Sequence, residues 1–127
     1  MTDIDYDALT AHGAALLDSK SPTLWWREDG PVDLDTLDIS TGDLCVTAQS
    51  VGNGDFGEGT AFLGIGGDSE EQVRCGFYLP NETFQALQRE MSDAGGYPPS
   101  MREVYAPLTD AWKRLIQARR DAAAAQQ

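Results

Sequence analysis

The residues with the types and spacing for chemistry fall into a few patterns. Gly52-Asn53-Gly54-Asp55-Phe56-Gly57 follows the G-x-G-x-x-G spacing, in which glycines let the backbone approach a pyrophosphate at a helix N-terminus. Glu70 and Glu71 stand near the distance at which an acid would meet the ribose. Asp55 and Glu58 would, however, set carboxylates against the phosphates, and the chain has no room for the multi-strand sheet of a dinucleotide fold. A glycine-rich turn over Gly52–Gly59 and no cofactor are expected. Asp3-x-Asp5-x-Asp7 and Asp33-x-Asp35 have the start of a calcium loop. Such a loop needs Gly at its position 6 and Glu at position 12. Counted from Asp3 those positions hold Ala8 and Ala14, and counted from Asp33 position 5 is Leu37. These acids are expected to be caps or solvated surface.

Zinc takes four ligands, or three and a water. Cys45, Cys75 and His12 are the soft candidates, with no C-x-x-C or H-x-x-x-H spacing among them. No metal site is expected. His12 is the one histidine, so a Ser-His-Asp or Cys-His site would have to be built around it. Nothing beside it in sequence suggests a nucleophile, and a surface position is expected. Paired carboxylates are numerous among 21 acids without implying acid–base work. The expectation is a protein without catalytic residues.

Two binding features remain. Adjacent Trp25 and Trp26 cannot both face inward on a regular element, so one is expected in the core and the other over a surface groove, where an aromatic ring makes a frequent binding anchor. The second is the run of acids. Side chains at i and i+2 of an extended segment lie about 6.5–7 Å apart on one face, near the spacing of phosphates along a strand. Asp3, Asp5 and Asp7, or Asp33 and Asp35, could thus imitate nucleic acid. Trp25, Trp26, Asp33, Asp35 and Asp38 are the candidate partner-binding residues.

The elements that must position these groups are read from periodicity. A first helix is expected from about Ile4 to Leu17, with Leu9, Ala14, Leu16 and Leu17 on its buried face and Gly13 weakening it. Ser40-Thr41-Gly42-Asp43 has the S-x-x-D spacing of a helix start, favouring a helix over residues 44–51, although Leu44, Val46 and Ala48 also alternate as in a strand. Phe62, Leu63 and Ile65 form an expected buried patch. Asp68-Ser69-Glu70-Glu71 starts a helix, and Asn81 is expected to cap another whose face carries Phe84, Leu87, Gln88 and Met91. The last helix starts at Pro107 and runs through the stripe Leu108, Ala111, Trp112, Leu115 and Ile116. The expected fold is mainly α, a small single domain of four or five helices with glycine-rich turns over residues 1–120, and a frayed tail over residues 121–127. The alternative is α+β, with a small sheet from residues 44–51, 61–65 and 73–79.

Several segments stand in an order that resembles a family of small uncharacterised proteins carried by phages of actinobacteria and by related prophages. They are Ala15-Leu16-Leu17-Asp18-Ser19-Lys20-Ser21-Pro22, Val32-Asp33-Leu34-Asp35-Thr36-Leu37-Asp38-Ile39-Ser40, Cys45-Val46, Gly54-Asp55-Phe56-Gly57-Glu58-Gly59, Leu63-Gly64 and Gly76-Phe77. Tyr105, Leu108-Thr109-Asp110-Ala111-Trp112-Lys113-Arg114-Leu115-Ile116 and Arg119-Arg120 complete the order. Thr47-Ala48-Gln49 departs from the family's apolar-Gly-Gln segment. The resemblance implies a phage or prophage origin and brings no catalytic or cofactor residue with it.

Composition bounds the remainder. The chain has 127 residues and a net charge of −12, too short for two ordinary cores and too acidic to hold nucleic acid or an anionic membrane by charge attraction. Residues 1–72 hold 15 acids and 2 bases, whereas residues 73–127 hold 6 acids and 7 bases. Arg119 and Arg120 are therefore expected to lie across the acidic first part. The acidic start lacks the basic and apolar segments of a secretory leader, and no run is apolar enough to cross a bilayer. Cys45 and Cys75 are expected as reduced thiols in a cytoplasmic protein. These features point to a monomer or weak dimer without direct nucleic-acid or membrane binding, and the resemblance implies a phage- or prophage-encoded, non-catalytic protein that binds and modulates a host or phage protein. The alternatives are an acidic nucleic-acid mimic that inhibits a DNA- or RNA-binding defence protein, and a small enzyme or nucleotide binder using the glycine-rich turn.

Overall fold

The computed structural model describes residues 4–20, 25–42, 44–50, 55–95 and 99–125. Among them the architecture is mainly α, with the helices α1 (Tyr6–Lys20), α2 (Val46–Ser50), α3 (Phe56–Phe62), α4 (Ser69–Arg74), α5 (Asn81–Gly95) and α6 (Met101–Ala125) and no strand. The small sheet of the alternative reading is absent from the described residues. Its alternating side chains at 44–48 belong to a turn and α2, and the 73–79 segment is the end of α4 and a short loop. α1 packs on α6 and α4, α2 on α3, and α5 on α6.

α6 is the axis of the core. Leu108, Ala111, Trp112 and Ile116 are buried as the stripe requires, and Val104 and Tyr105 extend it one turn upstream. The helix starts six residues before Pro107, which lies inside it. The reason is a reciprocal cap: Glu103 N donates to Ser100 Oγ at 3.2 Å while Ser100 N donates to Glu103 Oε1 at 3.3 Å. Satisfying two end donors outweighs the N–H that Pro107 lacks. α6 also remains helical through Ala125, past the point where the tail was expected to begin.

Trp112 stacks on Phe77 with ring centroids 5.9 Å apart and meets Trp25 edge-on at 6.1 Å. Its Nε1 donates to Gly76 O at 2.7 Å. Gly13 lies under this pair: a Cβ built there would stand 2.0 Å from Cys75 O and 3.0 Å from the Trp112 ring. The glycine that weakens α1 as a helix is what lets α1 seat on the end of α4. Gly59 has the same role in α3, where a Cβ would stand 2.4 Å from Thr47 O. Gly57 and Gly59 are thus helical, not part of a turn; Asp55 starts α3 by accepting from Glu58 N at 2.7 Å. Gly52–Gly54 lie outside the described residues.

Other expectations need correction. Phe62 is 51% exposed, while Leu63 and Ile65 are buried, because Phe62 ends α3 on its solvent side. Asn81 is the first residue of α5, and Pro80 O accepts from Phe84 N at 2.9 Å as the cap position. Asp68 caps α4 through Glu71 N at 3.1 Å, as its sequence suggests. The start of α2 lies at Val46, because Thr41 Oγ1 accepts Leu44 N in a turn before the helix begins; Asp43 and Val51 lie outside the described residues.

Between Arg27 and Cys45 the described residues form no regular helix, yet Val32, Leu37 and Ile39 are buried. Buried backbone needs partners, and side chains supply them. Gln49 Oε1 accepts Asp33 N at 2.6 Å, Thr109 Oγ1 accepts Ile39 N at 3.1 Å, and Arg120 donates to Val32 O at 2.8 Å.

Candidate functional site

The tryptophan pair divides as the sequence requires. Trp25 is fully buried, with Nε1 donating to Asp18 Oδ1 at 3.0 Å. Trp26 is half-buried and lines a groove of about 400 Å³ with Arg27, Glu28, Asp29, Arg120, Ala123 and Ala124. Arginines from α6 fix its wall. Arg119 donates to Asp18 Oδ1 at 2.8 Å and holds its guanidinium carbon 5.7 Å from the Trp25 ring centroid and 6.0 Å from that of Trp26. Arg120 donates to Trp26 O and Val32 O, each at 2.8 Å. Of the two arginines expected to reach the acidic part, Arg119 pairs with an acid, whereas Arg120 caps backbone carbonyls. The planar, permanently charged fork suits several carbonyls at once.

This groove is a mixed surface: an aromatic face, two alanines from α6, and both signs of charge on its rim. Nothing in the sequence marks Ala123 and Ala124 as groove residues, because an alanine run signals only helix propensity. Its place beneath Trp26 follows from the length of α6.

Asp33 and Asp35 are exposed but form no extended row. The chain turns at residues 34–36, and Asp33 Oδ1 accepts Asp35 N at 2.9 Å. Asp5 likewise caps α1 through Ala8 N at 3.0 Å, and Asp7 pairs with Arg114 at 3.0 Å. The extended i, i+2 spacing therefore does not form between Asp33 and Asp35 or between Asp5 and Asp7; Asp3 lies outside the described residues. Asp38 is buried, accepting from Ser40 N and Ser40 Oγ at 3.0 and 2.6 Å, with Arg102 at 3.4 Å. It secures a turn and presents little surface to a partner. The Asp55 carboxylate occupies one donor at the start of α3, Glu58 N, that a phosphate on the glycine-rich segment would compete for.

A second cluster was invisible in the spacing of soft ligands. Glu71, in the first turn of α4, and Cys75, its C-cap, are four residues apart and share a face. α1, seated through Gly13, brings His12 to them. His12 Nε2 lies 2.8 Å from Glu71 Oε1, and Cys75 Sγ donates to the same oxygen at 3.6 Å. The Glu71 Oε2 atom faces Arg74 Nε at 3.7 Å. The hydrogen bond with His12 holds the Glu71 carboxyl below its usual range, against the opposing effect of desolvation and aided by Cys75 and Arg74. Burial, with the neighbouring Glu71 charge, pushes the Cys75 thiol up to about 12. A thiol so held is protonated at neutral pH and poorly nucleophilic. Cys45 and Cys75 are both free and buried.

Compared with known proteins, the chain matches no protein-family model, no curated protein and no solved structure. Among the described residues, no helix is long and apolar enough to cross a membrane.

Proposed function

We propose that this protein is a non-catalytic interaction protein that binds another protein through the Trp26 groove. The observation that carries the reading is the half-buried Trp26 ring, held by Arg119 and Arg120 above Ala123 and Ala124. Ordering a flexible aromatic costs binding energy. Here the ring is already ordered, with its backbone carbonyl bonded and its face against a guanidinium. The resemblance to phage and prophage proteins directs the search for the partner to a host or phage protein. The turn at Asp33–Thr36 and the internal place of Asp38 favour this reading over nucleic-acid mimicry. The Asp55 cap and the protonated Cys75 favour it over a small enzyme.

Capture from an actinobacterial lysate tests it. The intact protein is expected to retain a discrete partner that Trp26→Ala loses. Ala124→Glu, at an exposed position on the groove floor, is expected to lose the same partner while the fold is kept. Enrichment of no protein, or equal retention by both variants, overturns the assignment.

A further inference from the structure

We propose that His12, Glu71 and Cys75 form a binding site for a divalent transition-metal ion, zinc foremost, at the junction of α1 and α4. Their donor atoms, Nε2, a carboxylate oxygen and Sγ, all lie within 4.8 Å of one another. Around a tetrahedral zinc ion, with metal–donor distances of about 2.0–2.3 Å, such atoms stand roughly 3.3–3.6 Å apart. The His12–Glu71 separation of 2.8 Å and the Cys75–Glu71 separation of 3.6 Å bracket that range. The adjustment required falls on His12, whose side chain is 51% exposed and able to swing.

The donor set is one that zinc favours: an imidazole, a carboxylate and a thiolate, with the fourth position left to water. The layering suits it too. The Cys75 sulfur is at the buried base, Glu71 is partly covered, and His12 is at the mouth. Arg74 contacts Glu71 Oε2 and leaves Oε1 facing the other two donors, the kind of outer contact that orients a ligating carboxylate. Its positive charge opposes the ion, while Glu70, 4.0 Å from the same guanidinium, offsets it. Binding replaces the S–H bond of Cys75 with a sulfur–metal bond and releases that proton to solvent. The Nε2 proton of the neutral His12 ring, which faces the Glu71 carboxylate in the ion-free protein, shifts to Nδ1 as Nε2 gives its lone pair to the ion. Coordination thus exchanges one proton for one ion.

Titration of the chelator-treated full chain with Zn²⁺ and with Co²⁺ alone, by calorimetry and absorption, tests the site. The expected result is one ion per chain, a thiolate-to-cobalt charge-transfer band in the near ultraviolet, and release of one proton per ion. Cys75→Ser is expected to abolish the band and Cys45→Ser to keep it. His12→Ala, at an exposed position that leaves the core untouched, is expected to weaken binding at least about tenfold. Absence of the band in the intact protein, its persistence in Cys75→Ser, or unchanged affinity in His12→Ala overturns the proposal. The groove variant Trp26→Ala is expected to bind the ion normally, so the two readings stand or fall separately.

Discussion

Gly13 shows how much one absent methyl group decides. In an exposed helix, glycine to alanine gains about 1 kcal/mol. Here the added Cβ would meet Cys75 O at 2.0 Å and the Trp112 ring at 3.0 Å, and neither backbone nor a fully buried indole has room to yield. Gly13→Ala is therefore expected to destabilise the fold by about 3 kcal/mol, the upper part of the overpacking range, measured by urea unfolding. A gain in stability would mean that α1 does not sit on the end of α4. Glu71 gives a pH signature at the same junction. Its folded carboxyl is held below the ordinary carboxylate range, chiefly by the hydrogen bond from His12, with Cys75 and Arg74 adding to the effect. A carboxyl depressed on folding stabilises above its unfolded pKa, and that stability is lost as pH falls through the folded value. With chelator present, Glu71→Gln is expected to melt below the intact protein at neutral pH, the gap closing as pH falls below about 4. A gap independent of pH would assign the difference to packing alone.

At the scale of elements, the last helix departs furthest from a local reading. Its stripe is plain in the sequence, but its start is set by the Ser100–Glu103 cap and it runs on through Ala125. Residues 121–125 are unburied except for partial cover of Ala123, so they contribute little to the core. They nevertheless supply the floor of the Trp26 groove. Truncation after Arg120 is accordingly expected to shift the melting temperature by no more than about 2 °C while abolishing capture of the groove's partner. A large drop in melting temperature would make the segment structural; undiminished capture would place the interface elsewhere.

Across the whole molecule, the division of charge along the chain becomes a set of contacts across the fold. Arg102 meets Asp38, Arg114 meets Asp7 and Arg119 meets Asp18, each basic residue coming from α6 and each acid from the first part. Pairs with exposed members contribute at most about 1 kcal/mol each, and the net charge of −12 repels itself beyond them. Screening weakens both, but the uncompensated acids outnumber the pairs. Raising salt from about 0.02 M to about 0.5 M, which shortens the screening length several-fold, is expected to raise the melting temperature. A fall would show that the α6 pairs outweigh the repulsion.

The sequence alone determined the class and much of the framework: a mainly helical chain, the buried stripe from Leu108 to Ile116, the Asp68 start of α4, and one inward and one groove-facing tryptophan. These are legible because they rest on periodicity and on groups that act within a few residues of themselves. Only the tertiary structure decided that Gly13 and Gly59 are packing glycines, that Arg120 caps carbonyls of residues 26 and 32, and that His12 meets Glu71 across 59 positions. Each depends on which helices approach and how closely, and a distance between two elements leaves no trace in the spacing of residues within either one.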